Sequence, residues 1–237
     1  MNYTYQDCLA LFGVGGAHPG SLPLTKYILS KEKMDETKLI LDVGCGTGQT
    51  SAYISKKFKS NVTSLDYNKL MVEKATQRFA SLQMPIEIRH GNAENLPFDE
   101  NTFDFILSES VTAFTDLSLT IPEYKRVLKP GGVLLAIEMV LEKPLPDEEQ
   151  NSIRNFYGIT ELLTESEWYD HFQKAGFKNI TVDSMDQQLD EEEVQLAVDF
   201  SLSENIDEKC YEIFEKHEYF MLVYKDTLGF RVFRCCT

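Results

Sequence analysis

The chain is 237 residues long and carries 23 basic and 38 acidic residues, which gives it a formal net charge of −15. This length fits one α/β domain with an elaboration, and the negative charge repels phosphate backbones, so a nucleic-acid partner is disfavoured. The sequence has no run of about 18 uncharged apolar residues and no basic N-terminal region followed by an apolar stretch, so it predicts neither a membrane span nor a secretory signal, and the cytoplasm is the expected location.

The cysteines predict neither a disulfide framework nor a metal site. There are five of them, an odd number, and none is paired at C-x-x-C spacing. The adjacent Cys235 and Cys236 are expected to point to opposite faces of a strand. We therefore predict no bound metal.

Residues 1–37 are predicted to form a helical lid around a glycine-rich loop. Four glycines and a proline fall within Gly13–Ser21, and apolar residues on both sides indicate two flanking helices. His18 is the one histidine of this chain in such a loop. Because imidazole titrates near neutrality, we predict a general base or a substrate hydrogen bond at His18, and an exposed loop histidine without such a role is the alternative.

Residues 38–140 are predicted to form the core. Apolar strands alternate there with helices, which is the pattern of a parallel sheet covered on both faces. The predicted strands are Leu39–Val43, Val62–Leu65, Ile86–Arg89, Phe103–Ser108 and Val133–Met139. The predicted helices are Gly48–Lys59, a helix from the N-cap Asn68 through Phe79, and Ser118–Leu128, which ends at the turn Lys129–Gly132.

The first strand leads into a glycine turn. Gly44, Gly46 and Gly48 allow the backbone to bend sharply and to approach a ligand closely, and the next helix offers unpaired N–H groups at its start. Asp66 ends the second strand about 20 residues further on, where a carboxylate can accept hydrogen bonds from a ribose diol. Together the two features predict a site for an adenosine-containing cofactor.

The glycine spacing separates two kinds of cofactor. A nicotinamide dinucleotide site has the pattern Gly-x-Gly-x-x-Gly. In this chain the third glycine comes one residue early, and Gln49 occupies the position that the dinucleotide pattern requires. A nicotinamide-dependent oxidoreductase is therefore the less favoured alternative.

Beyond the core, residues 141–175 are predicted to form a cap insertion with a linker at Glu142–Gln150 and a helix at Glu165–Ala175. Residues 176–237 are predicted to supply two strands and a long acidic helix, at Asn179–Asp183, Phe230–Arg234 and Glu204–Asp226. One of these strands is expected to be antiparallel. The segment Asp186–Glu218 holds twelve acidic residues, and we predict a solvated face there in preference to a binding surface for a basic partner.

Four features occur in chain order: the glycine turn, Asp66, the segment Gly91–Phe98 and the segment Arg126–Gly132. They resemble the landmarks of class I S-adenosylmethionine-dependent methyltransferases. The chain is similar to their small-molecule branch, related to the ubiquinone-biosynthesis methyltransferases. The similarity is close over Lys38–Val140 and looser over the whole chain. The resemblance implies a single methyltransferase domain with a Rossmann-like, seven-stranded, mostly parallel sheet, helices on both faces and a reversed last strand.

The resemblance also implies S-adenosylmethionine as cofactor, S-adenosylhomocysteine as product and a small molecule as methyl acceptor. The methionine part would lie against the glycine turn, the ribose against Asp66, and the adenine against Tyr67 and near Asn92 and Ala93. Asn92 departs from the aspartate often found at its position. The cofactor-binding residues implied in this way are Asp42, Gly44, Cys45, Gly46, Gly48, Asp66, Tyr67, Asn92, Ala93 and Glu109.

Methyl transfer is an in-line displacement, which needs the reacting atoms held about 3–3.5 Å apart and a proton removed where the acceptor carries one. Ligands of open α/β sheets bind at the carboxyl ends of the strands. Glu109 follows the fourth predicted strand and Glu138 lies at the end of the fifth. With His18, these two carboxylates are the candidate catalytic residues, and a role in capping or lid contacts is the alternative for each carboxylate.

Aromatic side chains of the N-terminal segment, of the core and of the cap are predicted to line an acceptor pocket at Tyr5, Phe114, Tyr157 and Trp168. The identity of the acceptor, the methylated atom and the choice between monomer and homodimer stay open. Two further alternatives are a non-catalytic protein of the same fold that holds the cofactor, and an interaction module that uses the acidic C-terminal region.

Overall fold

The computed structural model describes residues 3–185 and 190–237 and is built around a seven-stranded sheet. In chain order the strands are β1 (Leu39–Val43), β2 (Asn61–Asp66), β3 (Glu87–His90), β4 (Phe103–Glu109), β5 (Leu128–Leu141), β6 (Lys178–Asp183) and β7 (Leu228–Cys236). They lie side by side in the order β3-β2-β1-β4-β5-β7-β6. β7 is antiparallel to β5 and β6, and the other neighbours are parallel. The predicted Rossmann-like sheet with a reversed last strand is confirmed.

Helices cover this sheet on both faces. They are α1 (Tyr5–Phe12), α2 (Ser21–Ser30), α3 (Gln49–Phe58), α4 (Lys69–Ser81), α5 (Leu117–Val127), α6 (Asp147–Tyr157), α7 (Glu165–Lys174), α8 (Glu191–Ala197) and α9 (Glu208–Val223). A short two-stranded antiparallel ladder joins Val14–Gly15 to Asp199–Phe200. Within the described ranges, no helix has the length and apolar character that a membrane crossing requires.

The central strands are apolar on both faces because both faces are buried. Ile40 and Leu41 are neighbours on β1 and are both fully buried, yet they belong to different clusters. Ile40 lies in the cluster with α2 and α3, and Leu41 lies in the one with α5 and α7. Successive side chains of a strand point to opposite faces, so a continuous apolar run is what a doubly covered parallel sheet requires.

The predicted linker at Glu142–Gln150 is wrong from Asp147 onward, because α6 begins there. Pro146 precedes the helix, and three acidic residues occupy its first turn, where negative charge interacts favourably with the helix dipole. The acidic residues that indicated a linker thus belong to a helix start. The long acidic helix is also shorter than predicted, because Asp207 caps α9 and the helix ends at Val223.

Two further elements were not predicted, namely α8 and the ladder of Val14–Gly15 with Asp199–Phe200. Both are too short to give a periodic apolar signal. α8 and the Asp199–Phe200 strand of the ladder lie in the acidic segment that was predicted to form a solvated face, of which residues 186–189 are outside the described residues. Asp199 departs from that prediction, because its carboxylate is partly buried and pairs with Arg78.

Candidate functional site

The glycine turn between β1 and α3, here called the cofactor turn (Gly44–Gly48), is shaped by three residues with positive φ. Gly44, Gly46 and Gly48 have φ values of 66°, 54° and 78°. A Cβ on Gly44 would overlap Val111, and one on Gly48 would lie 2.5 Å from the ring of Phe79. A Cβ on Gly46 would meet no heavy atom of the described residues within 4 Å. Packing therefore requires two of the glycines, and the third faces open space where a ligand can reach the backbone.

Asp66 supports the cofactor turn through hydrogen bonds with two backbone N–H groups. Its Oδ2 accepts a hydrogen bond from the Gly46 N–H at 2.8 Å, and its Oδ1 accepts one from the Asn68 N–H at 2.8 Å. A carboxylate has about four lone-pair sites, so two remain for ribose hydroxyls. The side chain is largely buried, and this burial raises the pKa of Asp66.

Tyr67, next to Asp66, is 73% exposed, and its ring stacks against His90 with the centroids 6.3 Å apart. The two residues line an open pocket of about 380 Å³ together with Asn68 and Lys69. Asn92 and Ala93 lie after β3, but the Asn92 side-chain oxygen already accepts the Glu94 N–H at 3.0 Å. The ring of Tyr67 is thus accessible to a ligand. The side-chain oxygen of Asn92, in contrast, already has a hydrogen-bond donor within the chain.

Asp42 and Cys45 are buried beside the cofactor turn. Asp42 accepts a hydrogen bond from the Ser51 hydroxyl, and burial, followed by the charge of Glu109, raises the pKa of Asp42 to about 8. Burial and then the charges of Asp42 and Asp66 raise the pKa of the Cys45 thiol well above its usual range. Cys45 is therefore a neutral packing residue of this turn, with its N–H bonded to the Leu65 carbonyl at 3.0 Å.

His18 and Glu109 meet at the carboxyl end of β4. His18 Nε2 lies 3.5 Å from Glu109 Oε2, and the two side chains are 4% and 8% exposed. Two threonines that the sequence did not single out complete this group: Thr25 of α2 donates its hydroxyl to Glu109 Oε1 at 2.6 Å, and Thr50 of α3 donates to Oε2 at 2.7 Å. His18 is thus a buried partner of a carboxylate and not an exposed loop histidine.

Glu138 occupies a different environment. It is fully buried and accepts hydrogen bonds from the backbone N–H groups of Thr112 and Ala113, at 3.1 and 3.4 Å. Burial raises the pKa of Glu138 to about 7, against the opposing effect of these hydrogen bonds. The carboxyl group therefore anchors the turn after β4, which favours the capping alternative for Glu138.

The predicted acceptor aromatics lie in three places. The rings of Tyr5 and Tyr157 meet edge to face with centroids 5.1 Å apart, and the Tyr157 hydroxyl is 2.9 Å from Nδ1 of His217. Phe114 lies in the turn after β4 and packs, partly buried, against the main core. Trp168 is 1% exposed and donates its indole N–H to the Met139 carbonyl at 2.9 Å. Trp168 is therefore a core residue, and the structure does not bring it to the site.

Known proteins resemble this chain in sequence and in fold. Residues 41–136 match the family model described as a methyltransferase domain. Over 229 residues the chain is 38% identical to the uncharacterized methyltransferase YodH of Bacillus subtilis strain 168, and the match covers 97% of each protein. The chain belongs to the methyltransferase family. The landmarks of the sequence already predicted this membership, which is confirmed.

Two further proteins resemble this methyltransferase, one in sequence and one in fold. It is 36% identical over 116 residues to a demethylmenaquinone methyltransferase of Staphylococcus epidermidis, with 48% of each protein covered. Its fold matches phosphoethanolamine N-methyltransferase 2 of Haemonchus contortus in complex with S-adenosyl-L-methionine, at a TM-score of 0.79 and 20% identity, over 99% of this chain and 57% of that one.

The protein is an S-adenosylmethionine-dependent methyltransferase, as predicted. The nicotinamide-dependent alternative has no support among these similarities. The residues present also fit the cofactor, since Gly46 opens to free space and Asp66 keeps lone pairs for a diol.

Proposed function

We propose that the cofactor turn and β2 hold S-adenosylmethionine in the manner that the sequence predicted. The ribose diol would bind Asp66, the adenine would lie on the exposed ring of Tyr67, and the methionine part would face Asp42 and Gly46. The open side of Gly46 and the free lone pairs of Asp66 support this arrangement. Asn92 and Ala93 would border the adenine, with Asn92 contributing backbone in preference to its committed side chain.

We further propose that His18 removes the proton of an oxygen or nitrogen acceptor. The observation that carries this proposal is the pair of contacts made by its ring. Nδ1 lies 3.1 Å from the carbonyl oxygen of Pro19, which only accepts, so Nδ1 carries the hydrogen in this arrangement and Nε2 carries the lone pair. The Nε2 lone pair can then take a proton from the acceptor; Nε2 lies 3.4 Å from the Thr25 hydroxyl oxygen and 3.5 Å from Glu109 Oε2.

Glu109 stabilises the protonated form of His18 and is itself held in place by Thr25 and Thr50. The hydrogen bonds from these two hydroxyls fix the Glu109 carboxylate between β4, α2 and α3. Its negative charge is therefore already in position beside the ring when the imidazolium forms. The methyl donor supplies an electrophilic sulfonium methyl group when it is bound. The residues of the chain position the acceptor, remove its proton and exclude water.

Tyr5, Phe114 and Tyr157 are proposed to border the acceptor. The Thr160 N–H bonds to the Ala113 carbonyl at 3.3 Å, which joins the segment after α6 to the turn after β4 that carries Phe114. The acceptor wall would thus be apolar at its edge and polar at His18 and Glu109. We leave Trp168 out of this wall because it is buried in the core.

We also propose a cytoplasmic enzyme that works as a monomer or a homodimer without a nucleic-acid partner. The net charge of −15 supports the last point. Five free cysteines, four of them buried, suit a reducing compartment.

The proposed function is tested first by cofactor binding. Calorimetric titration of S-adenosylmethionine should show an affinity loss of about tenfold or more for Asp66→Ala and a smaller loss for Asp66→Asn, which keeps one acceptor oxygen. Asp104→Asn is the matched control, because this carboxylate pairs with Lys129 at the opposite, amino-terminal end of the strands. Unchanged affinity in Asp66→Ala would remove the ribose assignment.

The catalytic roles are tested by S-adenosylhomocysteine production over a broad panel of oxygen and nitrogen acceptors. His18→Gln and Glu109→Gln should lower kcat by about 10²- to 10⁴-fold while cofactor affinity changes much less in His18→Gln. His171→Gln changes a histidine outside this site and should keep wild-type turnover. Full turnover in both site variants would show that neither side chain acts in the reaction.

A further inference from the structure

Beyond the residues expected to touch the cofactor and the acceptor, we propose that Arg78 and Asp199 are positioning residues that couple the cofactor turn to the loop carrying His18. Two segments need names for this argument: the His18 loop is Gly13–Gly20, and the strap is Glu191–Ser203, which contains α8. The inference rests on the proposed function, because it concerns how the proposed base is held over the proposed cofactor site.

A single guanidinium joins the cofactor turn to the strap. Arg78 of α4 donates from Nε to the Thr47 carbonyl at 2.7 Å and from Nη2 to the Thr47 hydroxyl at 3.0 Å. The same group donates to both carboxylate oxygens of Asp199, at 2.7 and 2.9 Å. The planar fork of arginine can serve both partners at once, which a lysine ammonium cannot reproduce. Thr47, inside the cofactor turn, is therefore tied to the strap through one side chain.

Asp199 in turn contacts the His18 loop directly. It is the ladder partner of Gly15, and the Ser201 N–H bonds to the Gly13 carbonyl at 2.9 Å. A Cβ on Gly15 would overlap Asp199 Oδ1 and lie 3.0 Å from Thr47 Oγ1. The loop backbone therefore rests on the Asp199 carboxylate and the Thr47 hydroxyl, and this close approach requires glycine at position 15.

Other contacts join the same parts but do not replace this bridge. Gln49 Nε2 donates to the Ala197 carbonyl at 2.8 Å, which holds α8 against the start of α3. Lys74, one turn before Arg78 on α4, is buried and donates Nζ to the Ser201 carbonyl. These bonds fix the strap to the core. Among the described side chains, only Arg78 donates hydrogen bonds both to the cofactor turn, at Thr47, and to Asp199, the ladder partner of Gly15.

The bridge predicts that cofactor binding and order in the His18 loop are linked. In the wild type, S-adenosylhomocysteine should slow amide hydrogen exchange in residues 13–16 and 199–203. Asp199→Asn should speed exchange there without ligand and reduce the protection that the ligand gives. Arg78→Gln should do the same and also weaken S-adenosylhomocysteine affinity by about 3- to 30-fold, because it frees Thr47. Arg78→Lys keeps the charge and should not restore the wild-type behaviour.

The Arg234–Glu32 pair is a matched control. It also joins segments that are distant in sequence, through two hydrogen bonds of 2.6 and 3.1 Å, and these bonds involve neither the cofactor turn nor the strap. Glu32→Gln should leave ligand affinity and exchange in residues 13–16 unchanged. Gly15→Ala displaces Asp199 without removing a charge, so it is the second route if Arg78→Gln fails to fold.

Wild-type exchange in residues 13–16 for both Asp199→Asn and Gly15→Ala would overturn the inference. Failure of the proposed function gives a different pattern. In that case Asp66→Ala keeps its ligand affinity, while Asp199→Asn still speeds exchange in residues 13–16 of the ligand-free protein.

Discussion

At the scale of single residues, Asp42 has a strongly raised pKa at the proposed cofactor site. It is buried at the end of β1, and its pKa is raised to about 8, first by burial and then by the charge of Glu109. A carboxyl group with this pKa is about nine-tenths protonated at pH 7. The ligand-free protein therefore keeps a neutral acid beside the position proposed for a cationic ligand.

This state predicts that S-adenosylmethionine binding releases a proton. A sulfonium near Asp42 favours the carboxylate, so the pKa falls on binding and affinity should rise with pH between about 6 and 8, by up to about tenfold per pH unit. Calorimetry at pH 7 in buffers of different ionisation enthalpy measures the released proton. S-adenosylhomocysteine has the same amino acid part but no sulfonium, so it should release less.

Asp42→Asn is the control for this prediction. It keeps the shape of the side chain and removes its titration, so the difference in proton release between the two ligands should vanish. An equal release with both ligands in the wild type would show that the sulfonium does not act on Asp42.

Residue by residue, the sequence predicted what depends on local spacing. The cofactor turn and Asp66 follow from glycine intervals and from a strand end, and the structure places Asp66 against Gly46. Thr25 and Thr50 could not be found in this way, because their partner Glu109 is 84 and 59 residues away along the chain. Only the crossing of α2 and α3 over β4 makes this contact.

At the scale of elements, the glycines of the cofactor turn have two different roles: Gly48 allows close packing against Phe79, and Gly46 leaves space for a ligand. Gly48→Ala should lower the free energy of unfolding by about 3 kcal/mol or more, because a positive φ and a Cβ 2.5 Å from Phe79 act together. Gly46→Ala meets no described neighbour, so it should cost only about 1 kcal/mol of stability yet weaken S-adenosylmethionine affinity at least about tenfold.

The two glycine variants control for each other. Urea unfolding measures stability, and calorimetry measures cofactor affinity. Equal stability losses would contradict the packing argument at Gly48. Wild-type affinity in Gly46→Ala would mean that the open side of the turn does not receive the cofactor.

Strands and helices were predictable from the sequence where they are long enough to give a periodic pattern of apolar residues. Each of the seven strands of the sheet overlaps a predicted strand, and Asn68 caps α4 as expected. The ladder that holds Gly15 against Asp199 has two residues on each side, which is below any periodic pattern. The acidic start of α6 looked like a linker, since composition alone does not separate a helix N-terminus from a solvated segment.

At the scale of the whole molecule, the net charge of −15 should distinguish the cofactor from its product. S-adenosylmethionine has one positive charge more than S-adenosylhomocysteine, so the field of the protein attracts it more strongly. Salt screens this attraction, with a Debye length of about 10 Å at 0.1 M. Raising the salt from about 20 to 500 mM should weaken S-adenosylmethionine affinity several-fold more than S-adenosylhomocysteine affinity, as measured by calorimetry at constant pH. Parallel salt dependence of the two ligands would contradict this, because screening of the field by salt acts in proportion to ligand charge.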